Sequence, residues 1–288
     1  MPATSQRVFL LTTLAMIAFA ANSVLCRLAL KEASIDPASF AAIRLLAGAL
    51  ALALIVRLRA GSQAGSGNWT SALALFVYAA AFSFAYVGLS AAAGALLLFG
   101  AVQVTMIGHG LLNGERMQAW QWAGVMIAIA GLVGFLLPGL AAPPVSPAVL
   151  MLTAGVAWGA YSVRGRAAGD STLVTAGNFM RTLPMAIVLF VVMAMTTHGI
   201  AWDAAGVGYA IASGAVTSGV GYAIWYAILP ALKSTTAGIV QLSVPVIAAV
   251  GGVFLLAEPV TARLAVASIA VLGGIALVIA RPRVSRPH

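Results

Sequence analysis

The sequence predicts an all-α integral membrane fold: ten transmembrane helices built as two inverted five-helix repeats. Three observations carry this expectation. Charged residues make up only 7% of the chain against 62% hydrophobic, whereas soluble proteins carry roughly 25% charged residues. Ten apolar runs approach or exceed the roughly 20 residues that a helix needs to cross the hydrocarbon core. The pattern Gly-x6-Glu-x15-Gly also occurs twice, as Gly108, Glu115, Gly131 and as Gly251, Glu258, Gly274.

Taken in order, the first run (8–30) follows Arg7 and is too long for the apolar part of a cleaved leader, so it reads as a retained signal-anchor helix. The second covers 37–57. The third and fourth, 70–89 and 92–113, form a tight pair meeting at Leu89-Ser-Ala-Ala, and the fifth covers 119–137. The Pro- and Gly-rich stretch from Pro138 to Pro147 is the clearest linker in the chain. The sixth to eighth runs follow at 147–167, 172–195 and 205–229, and the ninth and tenth at 235–256 and 262–280. The chain therefore divides into a first repeat (1–138), a linker (139–147) and a second repeat (148–288). An odd number of spans per half starts the second copy on the opposite side of the bilayer, which makes the halves inverted.

The repeat extends beyond its Gly and Glu positions. Gly94–Phe135 aligns with Ala237–Val278 without a gap, at an offset of 143 residues. Ala18-Phe-Ala-Ala-Asn-Ser-Val24 aligns with Ala157-Trp-Gly-Ala-Tyr-Ser-Val163, which places Arg27 on Arg166, and Arg44 in span 2 corresponds to Arg181 in span 7. Scarce residue types falling at matching places argue against coincidence between two Ala/Leu/Val-rich stretches.

The net charge of +9 would suggest nucleic acid in a soluble domain, but its distribution gives another reading. With both termini cytoplasmic, Arg7, Arg57, Arg59, Arg116, Arg164, Arg166, Lys233, Arg281, Arg283 and Arg286 collect on the cytoplasmic side, and Arg27, Lys31 and Arg263 on the other. This positive-inside bias orients a multi-pass protein of a bacterial-type inner membrane. Its expected partners are the lipid bilayer and a small-molecule substrate, with no nucleic acid. A monomer suffices for this architecture, and a homodimer is compatible with it.

In these features the sequence resembles the ten-helix drug/metabolite transporter superfamily, specifically its members with two EamA-type repeats. The residues that carry the resemblance are the aromatic and small start of each half, the Arg of the second span, and the Glu followed by an apolar span ending in Gly. Length and aromatic-rich spans look similar to the bacterial aromatic amino acid exporters within that superfamily. The resemblance implies that spans 1–4 and 6–9 surround a central path. Spans 5 and 10 would brace them through Gly124, Gly131, Gly134, Gly273 and Gly274.

Candidate residues for a binding cavity are aromatic and uncharged polar. Tyr78, Phe82 and Tyr86 in span 3 recur every four residues and share one helix face. Tyr222, Trp225 and Tyr226 are their counterparts in span 8. Span 1 offers Phe19, Asn22 and Ser23, span 6 Trp158, Tyr161 and Ser162, span 4 Phe99 and Gln103, and span 9 Gln241 and Ser243. Lipid-facing girdles and helix packing account equally well for aromatics. Unpaired amides inside a span are costly, however, so Asn22, Gln103 and Gln241 should face other helices or a wet cavity.

Six residues are assigned structural or gating roles. Arg44 and Arg181, each about two turns into a span, either satisfy carbonyls and pin neighbouring helices or attract a substrate carboxylate. Glu115 and Glu258 precede helix starts, where a carboxylate caps the N-terminus. Pro184 and Pro245 interrupt spans 7 and 9 and permit kinks, and span 8 adds Gly214, Gly219 and Gly221.

The expected function is secondary export of small organic metabolites, amino acids and especially aromatic ones, by alternating access. None of the six acidic residues lies centrally in a span, which favours facilitated transport over an acid-based proton relay. A proton-coupled multidrug or nucleobase exporter of the same fold is the alternative. No Walker-type Gly-x4-Gly-Lys-Ser/Thr occurs. A membrane-embedded enzyme would need a nucleophile–base pair or metal ligands. Of the histidines, His288 is terminal, His198 lies in a loop, and His109 lacks an acidic partner in its span. Cys26 is the single cysteine. No cofactor, metal or catalytic residue is expected.

Overall fold

A computed structural model describes residues 5–60, 66–114, 116–139, 142–165, 170–196, 200–228, 231–232 and 240–279. The described residues form ten helices and no strand: α1 (Ser5–Lys31), α2 (Pro37–Ala60), α3 (Trp69–Ala85), α4 (Ala91–Leu112) and α5 (Ala119–Leu136), then α6 (Val145–Gly165), α7 (Ser171–Thr196), α8 (Ala204–Ile228), α9 (Ser243–Leu256) and α10 (Ala262–Ile279). Eight of them are long and apolar enough to cross a membrane; α3 and α9 are shorter.

Polar capping residues define many of the helix starts. Asp36 accepts from the amides of Ala38 and Ser39 with Pro37 at the first position of α2. Asn68 caps α3, Ser90 caps α4, Asp170 caps α7, Asp203 caps α8 and Thr261 caps α10. Three of the few acidic residues are thus used at helix N-termini, where burial in hydrocarbon is avoided.

Helix interiors show the reverse of a soluble protein's pattern. Phe9, Leu50, Leu54, Ile187, Val188, Phe254 and Ile269 project outward, while Asn22, Arg44, Gln103, Thr175, Asn178, Ser213 and Thr217 are buried. A surface of large apolar side chains, around a mainly apolar interior that also holds the polar groups, suits lipid as solvent. The chain is a multi-pass membrane protein.

Helix neighbours in the two halves correspond. α6 packs on α3 and α4, and α1 packs on α8 and α9; α2 packs on α7, and α5 on α10. The α5–α10 contact is made by backbones in close approach. A Cβ on Gly124 would lie 2.5 Å from the Gly274 carbonyl oxygen, and one on Gly274 would collide with the Gly124 carbonyl. Gly131 presses on Ala270 and Val271, whereas Gly134 and Gly273 face open space. Only three of the five bracing glycines expected from the sequence therefore meet a neighbour.

Two helices are irregular. The middle of α8, Ala212–Val220, winds as a π-helix. Before α9, Val240 and Gln241 are helical and Leu242 is a turn. Pro245 lacks the N–H that would bond the Gln241 carbonyl, which fits a restart at Ser243. Pro184 lies inside the continuous α7 on its outer side.

Glu258 departs from its expected role. Thr261, not Glu258, caps α10. The Glu258 carboxylate instead reaches across to the other half, accepting from the Ala91 amide at the start of α4 (2.8 Å) and from Arg27 Nε (3.0 Å). The folded chain supplies a better-placed set of donors than its own next helix. Glu115 lies outside the described residues.

Candidate substrate site

Inside the bundle, aromatic side chains from α1, α3, α6 and α8 converge. Trp158 stands 4.9 Å from both Tyr78 and Tyr222, ring centre to ring centre. Phe19 meets Tyr222 and Trp225 edge-on at 5.8 and 5.9 Å. Tyr78 and Phe82 are 5.4 Å apart, and Phe82 meets Tyr86 at 4.7 Å. Offset and edge-on ring contacts of this kind add stability beyond area burial.

Phe19, Asn22, Tyr78, Phe82, Leu98, Phe99, Trp158, Thr217 and Tyr222 enclose a central cavity of about 20 Å³. That is room for about one water, so the walls are closed against each other in this conformation. Seven of the sequence-expected residues, from spans 1, 3, 4, 6 and 8, line it, joined by Leu98 and Thr217.

The polar centre of the cavity is Asn22. Its Oδ1 accepts from Ser213 Oγ at 2.6 Å and Thr217 Oγ1 at 3.1 Å, and its Nδ2 donates to the Tyr78 hydroxyl at 3.2 Å. One buried amide thus joins α1, α3 and α8. The π-helical turn of α8 presents both hydroxyls to it; such turns are frequent at functional sites. Next to Ser213, a Cβ on Gly214 would collide with the Arg44 backbone carbonyl, so α8 and α2 touch at that level.

Arg44 occupies the layer behind the aromatic wall and is 2% exposed. Its guanidinium carbon is 4.9 Å from the centre of Phe82 and 5.5 Å from that of Tyr78. Nη2 is 3.5 Å from Ser218 Oγ, and Nη1 has no hydrogen-bond partner.

Of the remaining candidates, Tyr86, Tyr161 and Trp225 touch the aromatic cluster. Tyr161 stacks on Trp158 and donates to Thr175 Oγ1 at 3.3 Å, while Asn178 Nδ2 donates to the Tyr161 hydroxyl at 3.4 Å. Tyr86 donates to the Ala91 carbonyl. Ser23 and Gln103 are buried, and Ser162, Tyr226 and Gln241 are half-buried. Ser243 donates to the Val240 carbonyl across the break before α9. Arg181, the repeat counterpart of Arg44, is placed differently: its Nη1 donates to the carbonyls of Ser66 and Gly177. His109 is exposed near the end of α4, close to the Asn113 side chain.

Besides Leu98, sequence reasoning misses Ser213, Thr217 and Ser218, which surround Asn22 and Arg44. A signal for them exists in the sequence, since three hydroxyls within six residues of an apolar span need partners, but the same segment's glycines suggest flexibility first. No group of three or more potential metal ligands occurs among the described residues.

Comparison with known proteins agrees with the geometry. The profile of the EamA-like transporter family matches residues 6–137 and again 145–280. An uncharacterised protein of Pseudomonas aeruginosa is 53% identical over 283 residues, covering 98% of this chain and 97% of its own. A crystal structure identified only as that of a protein superimposes with a TM-score of 0.65 at 17% identity, covering 94% of this chain and 96% of that one. The last comparison speaks to the fold alone.

Proposed function

Because the chain belongs to the EamA-like transporter family, we propose that it exports small organic metabolites, amino acids and above all aromatic ones, by alternating access across the bacterial inner membrane. The observation that carries the reading is the central cavity, walled by Phe19, Tyr78, Phe82, Trp158 and Tyr222 and centred on Asn22. Apolar walls with a few placed polar groups are the usual composition of small-molecule sites. Aromatic faces suit a flat hydrophobic side chain, and hydroxyl and amide groups suit its polar end.

Two inverted halves supply the motion. The corresponding helix neighbours, with α1 on α8 and α9 as α6 lies on α3 and α4, support an inverted pair. Exchanging conformations between such halves exposes a fixed central site to one side and then the other. Both termini are then cytoplasmic, in keeping with the positive-inside distribution of Arg and Lys.

Transport is facilitated rather than proton-driven. Asp36, Asp170 and Asp203 cap helices, Glu32 pairs with Lys31, and Glu258 pairs with Arg27. None of these lines the central cavity. Counterflow in proteoliposomes across a panel of amino acids, nucleobases and cationic drugs tests the reading. Exchange of aromatic amino acids without an imposed gradient is expected. Movement of drugs but of no amino acid would overturn the substrate assignment, and an absolute requirement for a proton gradient would overturn the facilitated mechanism.

A further inference from the structure

Arg44 is a buried cation whose charge the described protein does not balance. The two ion pairs among the described residues, Arg27–Glu258 and Lys31–Glu32, lie elsewhere. Its Nη1 has no partner, and the contact of Nη2 with Ser218 Oγ is long at 3.5 Å. Guanidinium does not lose its proton in a protein, so the charge persists, and burying it is costly unless it is paired. The faces of Phe82 and Tyr78 offset part of that cost, but they leave N–H donors unused. Arg181 shows the contrast: its Nη1 donates to two backbone carbonyls, those of Ser66 and Gly177.

Position gives the imbalance a meaning. The rings that cover Arg44 are the same Tyr78 and Phe82 that wall the central cavity. Other polar groups there, the hydroxyls of Tyr78, Thr217 and Tyr222 and the amide of Asn22, are neutral, and no acidic side chain lines the cavity. At low dielectric an unbalanced cation one ring away sets a strong positive potential. Such a site repels amines and cationic drugs and attracts anions.

We infer that Arg44 is the anion-recognition residue of this transporter, binding the carboxylate of the substrate when Phe82 and Tyr78 swing aside as the cavity opens. Guanidinium and carboxylate match in a planar, two-pronged geometry, which the free Nη1 can begin. The inference rests on the central cavity being the transport site. It specifies that a carboxylate, and not aromaticity alone, is required of the ligand.

The test compares phenylalanine, phenylalaninamide, phenethylamine and 3-phenylpropionate on the full-length protein. Thermal shift in detergent reads binding without requiring transport, and counterflow reads transport. Phenylalanine and phenylpropionate should stabilise the wild type, while the amide and the amine should bind at least tenfold more weakly. Arg44→Gln should abolish the advantage of the carboxylates, and Arg44→Lys, which keeps the charge but not the fork, should weaken it. Equal binding of amine and carboxylate by the wild type would overturn the inference, and this result needs no variant to fold. So would unchanged carboxylate binding in folded Arg44→Gln. Binding of phenylpropionate that depends on Arg44, with no counterflow of any amino acid, would uphold the anion site and refute the amino acid export reading.

Discussion

Arg27 Nε donates to Glu258 Oε1 at 3.0 Å, tying α1 in the first half to the connection after α9 in the second. The same carboxylate holds the Ala91 amide, and Arg27 Nη1 donates to the carbonyls of Tyr86 and Val87. Four segments from both halves thus meet on one ion pair, whose side chains are 15% and 8% exposed. The pair thus ties the two halves together at this level.

Glu258→Ala is expected to destabilise the solubilised protein by about 2–3 kcal/mol, somewhat below the roughly 3–5 for breaking a fully buried pair. Glu258→Gln should cost less, because the amide oxygen still accepts from Ala91. Chemical denaturation of the two variants checks the order. Ala93→Cys, in a Cys26→Ala background, should become more reactive to a water-soluble thiol reagent in Glu258→Ala, since Ala93 lines the same cavity as Arg27 and Glu258; an unchanged rate would show that the pair does not restrict access there.

The glycines of α5 and α10 yield a contrast. Gly124→Ala and Gly274→Ala each place a methyl against a backbone carbonyl of the other helix, and overpacking of this kind costs about 1–3 kcal/mol. Gly134→Ala and Gly273→Ala meet nothing within 4 Å, so they should be neutral or stabilising by up to roughly 1 kcal/mol. Four single variants compared by thermal unfolding decide it.

Trp158→Phe removes the larger ring system that touches Tyr78, Tyr222 and Tyr161. It should reduce substrate exchange severalfold with little change in unfolding temperature, since the aromatic packing is largely conserved. Loss of stability with unchanged exchange would make Trp158 a packing residue only.

What was legible in the sequence depended on what each feature responds to. Ten helices follow from runs of apolar residues, because a bilayer leaves the backbone little alternative, but only eight reach the length expected of a span, α3 and α9 being shorter. Asn22 was legible as a buried amide because its cost is local to one span. Its partners Ser213 and Thr217 were not, because a π-helical turn sets which side they face. The sequence suggests only a local cap for Glu258; the half-to-half contact that satisfies it depends on how α1 and α4 approach in space. Arg44 and Arg181 are equivalent in the repeat but not in the fold, where carbonyls reach one and aromatic rings cover the other.

Asn22 separates stability from selectivity. Asn22→Ala removes the acceptor of Ser213 and a partner of Tyr78, and stranding buried hydroxyls costs about 1–3 kcal/mol. Asn22→Asp keeps the acceptor oxygen for Ser213 and Thr217 but brings a negative charge beside Tyr78, whose ring centre is 5.5 Å from the Arg44 guanidinium carbon. If Arg44 recognises a carboxylate, this built-in anion competes for it. Asn22→Asp should therefore unfold at a higher temperature than Asn22→Ala yet exchange carboxylate substrates more slowly, with phenethylamine gaining relative to phenylalanine. A variant whose transport merely follows its stability would show that Asn22 acts on packing and not on the charge balance of the cavity.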